Sequence, residues 1–198
     1  RLEGLYGADG IVPKVLLRIT PGVEAHTHEF VMTGQDDSKF GFGLKVGDAA
    51  RAVARAATSP AVELVGRHAH IGSQVFVAGF FEQAGEALAP FVHECGLPEL
   101  SIGGGIGVAY VEGEEAPSIS EWGAVVRRAC DEAGITARVS AEPGRAIAAA
   151  AAVTVYRVGT VKEVPGIRTF VACDGGFIDN PRPALYGSGY ETFLPRAV

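Results

Sequence analysis

One pattern constrains this chain more than any other. Before residue 148 it repeats four times: a short apolar run, a polar or glycine-rich stretch at its end, then a segment with helical periodicity. The apolar runs are residues 15–20, closed by Pro21-Gly22; residues 62–71; residues 100–102, closed by Gly103-Gly104-Gly105; and residues 137–141, closed by Pro143-Gly144. Helical candidates lie between and after them, at residues 46–58, 79–95 and 119–134. Pro90 should break or kink the second of these, because it removes an amide donor and crowds the preceding turn. Ser118 or Ser120 is the natural N-cap of the third, with Glu121 in its first turn. Neighbouring parallel strands need a long crossover, usually a helix, so strand–loop–helix units in series predict an α/β fold with a parallel sheet. In such folds ligands bind at the C-terminal ends of the strands, where this chain gathers its glycines and titratable side chains.

After residue 148 the pattern changes. Residues 153–161 and 167–173 read as antiparallel strands joined by a turn at Val164-Pro165-Gly166, with no helix between them. We place a boundary at 148–152 and divide the chain into residues 1–149 and a β-rich segment, 150–198. Four βα units make half of an eight-fold barrel, and a half barrel leaves two parallel edges unpaired. The sheet is therefore open, completed by a partner, or completed by further chain. Residue 1 is Arg and the one methionine is Met32, which reads as a processed chain or a piece of something longer.

Charge and composition exclude several classes. The formal net charge of -6 offers no basic footprint for nucleic acid. The longest apolar run, residues 146–155, is interrupted by Thr154 and falls far short of the ~20 residues that cross a bilayer. Three scattered cysteines, Cys95, Cys130 and Cys173, form no CxxC and no Cys/His cluster, against a disulfide framework or a zinc site. That usage fits a reducing cytoplasm, and no signal peptide opens the sequence. Glycine is the outlier: 27 in 198 residues, roughly twice the typical 7% share, which implies tight turns or close backbone approach to a ligand.

Several constellations could carry chemistry. Gly103-Gly104-Gly105-Ile106-Gly107 follows a strand and could turn backbone N–H groups toward a phosphate, or be a tight strand-to-loop turn. It matches neither the dinucleotide fingerprint nor the P-loop. His68 and His70 fall on one face of a strand, as structural hydrogen-bonded residues or, with further ligands such as His26 and His28, as metal ligands. Glu142 and Arg145 could pair with each other, or could grip opposite ends of a ligand, with Arg145 taking a phosphate or carboxylate. Asp174-Gly175-Gly176 and Asp179-Asn180-Pro181-Arg182 read as turns, which would leave Arg182 and Tyr186 at the surface.

Taken in order, HTHEF…TGQDDSKFGF, GRHAHIGSQ, LSIGGGIG, AEPGR and DGGFIDNPRPALYGSGY resemble the diaminopimelate decarboxylases, of the alanine-racemase-like group of pyridoxal-phosphate (PLP) enzymes. The resemblance runs from about residue 1 to residue 190. It implies the second half of a PLP-binding TIM (β/α)8 barrel followed by the start of a C-terminal β-domain, in a cytoplasmic homodimer. It also implies a carboxy-lyase that converts meso-2,6-diaminopimelate to L-lysine and CO2. By the same resemblance His70 stacks on the pyridine ring, Ser73 contacts the phosphate, and Gly103, Gly104 and Gly105 present N–H groups to it. Gly144 also belongs to the cofactor site. Glu142 faces the pyridine nitrogen, where the racemase relatives place an arginine. Arg145 lies on the phosphate and substrate side, Arg182 and Tyr186 bind substrate, and Arg18 lies near the ring edge. A diacid substrate would explain two arginines, Arg145 and Arg182, in one pocket.

Two family elements have no counterpart here. None of Lys14, Lys39, Lys45 and Lys162 sits in the family's Schiff-base context, and the catalytic cysteine element of the β-domain is missing. The chain by itself is expected neither to turn over nor to fold alone. Related PLP-dependent decarboxylases with other amino-acid substrates, and a short non-catalytic PLP-binding homologue, are the rival readings.

Overall fold

The computed structural model describes residues 2–23 and 36–195. Within them the chain divides into two compact units: one up to Val108 with Glu115–Ile147, the other Ala109–Glu114 with the chain from Ala148 onward.

In the first unit, a short helix α1 (Leu2–Tyr6) precedes β1 (Lys14–Thr20), β2 (Phe42–Gly43), α2 (Asp48–Ala57), β3 (Glu63–Ala69), α3 (Gly79–Cys95), β4 (Glu99–Ser101), α4 (Ile119–Glu132), β5 (Arg138–Ser140) and α5 (Gly144–Ala148). The strands form one sheet in the order β2-β1-β3-β4-β5, and every pairing is parallel. The parallel α/β expectation is met. The sheet is part of a barrel, with one element the sequence reading missed: β2, two residues long, pairs Ile19 with Phe42 and Thr20 with Gly43.

Two apolar clusters hold the unit together. Ile19, Ala69 and Leu100 from the strands pack with Ala49, Leu88, Phe91 and Val92 from the helices. Ile71, Val75 and Ile106, beyond the strand ends, pack with Phe81, Ala84 and Trp122. The Phe81 and Trp122 rings meet edge to face at 5.6 Å, a favoured arrangement of ring quadrupoles. Helix α4 starts at Ser118, not Ser120: Glu121 N–H donates to the Ser118 hydroxyl, and Glu121 Oε2 accepts from Ser118 N–H at 2.8 Å. This capping box satisfies two otherwise orphaned donors.

The break expected at Pro90 does not occur, and α3 runs on to Cys95. An interior proline costs a helix about 3 kcal/mol. Leu88, Ala89, Phe91 and Val92, on both sides of it, are all buried, and each large apolar side chain fully buried contributes about 1.5–3 kcal/mol. Tertiary packing overrides local propensity here.

Arg67 is the anomaly of the core. It is 1% exposed, lies on β3 and packs its guanidinium 4.7 Å from the centre of the Phe91 ring. Nη1 donates a long bond of 3.5 Å to the Val92 carbonyl, while Nε and Nη2 have no partner. Two buried unmade hydrogen bonds cost about 1–3 kcal/mol each, against about 2 kcal/mol from a desolvated cation–π contact. Arg67→Met keeps the bulk and a sulfur–aromatic contact. It should raise unfolding stability by about 1–2 kcal/mol, measured by denaturant titration; a lower midpoint would mean the arginine is net favourable.

The second unit holds an antiparallel hairpin, β6 (Val158–Val164) and β7 (Arg168–Cys173), and a short helix α6 (Arg182–Tyr186). The turn at 164–166 stands, with Ile167 N–H donating to the Val164 carbonyl at 3.0 Å. The first strand is displaced from the expected 153–161, and residues 153–157 are not strand. Its partner ends at Cys173, opposite Val158. Beyond that, Asp174 turns and caps Arg157, whose N–H donates to Asp174 Oδ1 at 2.7 Å, so β7 does not continue opposite residues 153–156, and among the described residues these are not strand. Both hairpin faces are exposed, with Val161, Phe170 and Val171 open to solvent. Among the described residues no helix is long and apolar enough to cross a membrane.

Candidate active site

The C-terminal ends of β1, β3, β4 and β5 converge on Glu142, the second residue after β5. Its side chain is 57% exposed, yet both carboxylate oxygens are held. The Ser101 hydroxyl, at the end of β4, donates to Oε1 at 2.9 Å. The Nε2 of His68, near the end of β3, lies 3.3 Å from Oε2. Partial burial pushes the carboxyl up, but the Ser101 hydrogen bond and the His68 ring more than offset this, with a smaller contribution from His70. Glu142 therefore titrates below the ordinary carboxylate range and is ionised near neutrality. A half-exposed, ionised carboxylate fixed at both oxygens is suited to receive a cationic donor.

His70 follows β3 by one residue, its ring 6.3 Å from that of His68. Burial, then the nearby Arg18 and His68 charges, push its titration down, partly opposed by Glu142. Gly104 N–H donates to His70 Nδ1 at 3.4 Å, which requires that nitrogen to be unprotonated. At neutral pH His70 is thus a neutral aromatic plate. Its NMR titration midpoint should fall below the ordinary histidine value of 6.5. The unfolded chain takes up this proton first as pH falls, so the His70 contribution to stability is complete above 6.5 and lost on descending through the lower folded-state midpoint. A midpoint above 6.5 would contradict this environment.

The glycine run is built for close approach. A Cβ at Gly104 would lie 1.9 Å from the Glu142 carbonyl oxygen, at Gly105 1.8 Å from that of Gly72, and at Gly103 2.4 Å from that of Ala69. Gly103 and Gly105 also have positive φ, at 69° and 95°. The loop after β4 thus lies wedged between the ends of β3 and β5. Gly103 N–H donates to Ser101 Oγ at 3.3 Å, so the amides of Gly103 and Gly104 both already have acceptors inside the fold. Gln74 ties this loop to the one after β3: its amide pairs in both directions with the Val108 backbone, at 3.1 and 3.0 Å. Its φ of 58° is the only positive value at a non-glycine among the described residues, and backbone strain of this kind clusters at functional sites.

Arg18, on β1, stacks 4.7 Å from the centre of the Phe40 ring and has a buried Nη2 without a partner. Ser73 lies in the loop between Gly72 and Gln74, and Gly144 and Arg145 open α5. A Cβ at Gly144 would meet nothing within 4 Å, so space is open there. Arg182 and Tyr186 stand in the other unit, at the two ends of α6, with the Arg182 guanidinium 5.4 Å from the Tyr186 ring centre. Arg182 is half-buried rather than a plain surface residue, and its Nε is buried without a partner. His26 and His28 lie outside the described residues, and among those described no group of three or more His, Cys, Asp or Glu is placed to hold a metal.

Comparison with known proteins decides what scaffold this is. The family described as pyridoxal-dependent decarboxylase, pyridoxal binding domain, matches residues 3–149. The chain belongs to this family. Among curated pyridoxal-dependent decarboxylases, it is 44% identical to the diaminopimelate decarboxylase of Synechocystis sp., over 98% of this chain and 43% of that protein. It is 42% identical to that of Bacillus subtilis, over 96% of this chain and 46% of that protein. Among solved structures, the diaminopimelate decarboxylase of Helicobacter pylori complexed with L-lysine superposes with a TM-score of 0.82 at 31% identity, over 96% of this chain and 47% of that one. The chain spans less than half the length of these relatives.

One site residue has no role in the sequence reading: Ser101 reads there only as part of an apolar strand. His68 reads as a structural hydrogen-bonded residue or a metal ligand, and in the structure its Nε2 is hydrogen-bonded to Glu142. The available signal was Ser101 itself, a hydroxyl between Leu100 and Ile102 in a strand that is otherwise apolar.

Proposed function

We propose that this chain supplies the cofactor site of a decarboxylase that converts meso-2,6-diaminopimelate to L-lysine and CO2, with pyridoxal 5'-phosphate as cofactor. The reading rests above all on Glu142, an ionised carboxylate held at both oxygens at a strand end of a pyridoxal-binding domain. The residues fit the group: Arg18 keeps an unpartnered buried donor on the same side, and the space at Gly144 is open. When bound, the cofactor supplies an electron sink for the carbanion left by loss of CO2. Glu142 keeps a positive charge on the pyridine nitrogen, which strengthens that sink. His70, neutral and planar, packs against the ring face. Ser73 and the Gly103–Gly105 loop would hold the phosphate through charge-assisted hydrogen bonds. Arg145 and Arg182 read the carboxylates of the diacid, with Tyr186 beside Arg182; guanidinium forks suit that bidentate task.

On this reading residues 1–149 are the cofactor-binding portion and 150–198 the start of a β-domain, in a cytoplasmic homodimer. The substrate assignment follows the diaminopimelate decarboxylases at 42–44% identity. It is tested by expressing the whole reading frame and following CO2 and lysine from meso-diaminopimelate. Stoichiometric lysine and CO2, dependent on added pyridoxal phosphate, is the expected result. CO2 from ornithine or lysine alone would move the substrate elsewhere, and none from any amino acid would overturn the reading.

A further inference from the structure

Glu142 is the most exposed member of the strand-end cluster, and its orientation is set by two side chains from the neighbouring strands. Ser101 is 1% exposed. Its single hydroxyl proton goes to Glu142 Oε1 at 2.9 Å, while its oxygen accepts Gly103 N–H at 3.3 Å. His68 approaches the other oxygen at 3.3 Å. The remaining charged or titratable groups acting on the carboxylate are Arg18 and His70. A glutamate side chain at an open strand end is free to sample several rotamers, and two bonds from fixed strands select one. Donors to a carboxylate also lower its proton affinity. A proton shared with an opposing nitrogen base then stays on the nitrogen.

We propose that Ser101 and His68 are positioning residues that clamp one Glu142 oxygen each and thereby keep the proton on the pyridine nitrogen. This rests on the assignment of Glu142 made above. The buried hydroxyl also joins two parts of the site, because the same oxygen anchors the first amide of the glycine loop.

The test uses protein from the whole reading frame loaded with ring-15N-labelled pyridoxal phosphate, and reads the nitrogen chemical shift. Ser101→Ala and His68→Leu should each move the signal toward neutral pyridine, the double variant further. His68→Gln, which keeps an N–H donor, should stay near the parent. kcat should fall on the order of tenfold for each lost bond to the charged group, with KM little changed. An unmoved signal in the double variant, with cofactor still bound, overturns the clamp. Glu142→Gln separates the two claims. If it moves the signal and the double variant does not, only the clamp fails; if neither moves it, Glu142 does not face the nitrogen and both fail.

Discussion

Glu142→Gln should lower kcat by about 10²–10³-fold, the usual effect of removing one preorganised electrostatic group from the reacting centre. KM and cofactor occupancy should change little. The amide is isosteric, and its oxygen can still accept from the Ser101 hydroxyl. What it lacks is the negative charge, and its NH2 points a donor where His68 and the pyridine nitrogen both need an acceptor. The acid side of the parent's pH profile follows from the same environment. Glu142 titrates below its ordinary value of 4.5, so its contribution to stability is complete above 4.5 and lost as pH falls through the lower folded-state value. A Glu142→Gln enzyme with kcat within threefold of the parent (about 0.65 kcal/mol of barrier) would remove Glu142 from the chemistry.

Gly104→Ala should be strongly damaging, although it adds only one methyl group. The new methyl would lie 1.9 Å from the Glu142 carbonyl oxygen, 2.6 Å from its carbon and 3.3 Å from the Pro143 nitrogen. These are backbone atoms at the end of β5, and no rotamer change relieves them. Overpacking of this kind costs about 3 kcal/mol, and the displaced backbone carries Glu142 with it. Both the denaturation midpoint and cofactor affinity should fall. Gly144→Ala supplies the contrast, since its Cβ meets nothing within 4 Å. It should leave stability within about 0.5 kcal/mol while weakening cofactor binding. Equal stability losses at the two positions would mean the close approach at Gly104 is not the constraint.

The parallel sheet was legible because four apolar runs ended in glycine or proline at crossover spacing. Its details were decided by packing. The two residues of β2 carry no periodicity of their own and pair only because Thr20 and the following backbone reach them: the Thr20 hydroxyl donates to the Phe40 carbonyl at 2.6 Å. Pro90 reads as a stop signal, but its neighbours are buried on both sides and the helix continues. Residues 153–157 alternate like a strand, yet a strand needs a partner, and β7 ends before reaching them. In the site, Glu142 and the histidines stood out by chemistry. Ser101 did not, because its role depends on a carboxylate 41 positions away in sequence.

The most direct measurement is a crystal structure of the protein from its whole reading frame with pyridoxal phosphate bound. The pyridine nitrogen should lie within about 3 Å of a Glu142 carboxylate oxygen, the ring against His70 and the phosphate over the Gly103–Gly105 loop. A cofactor bound away from these strand ends, or a pyridine nitrogen facing an arginine, would contradict the account.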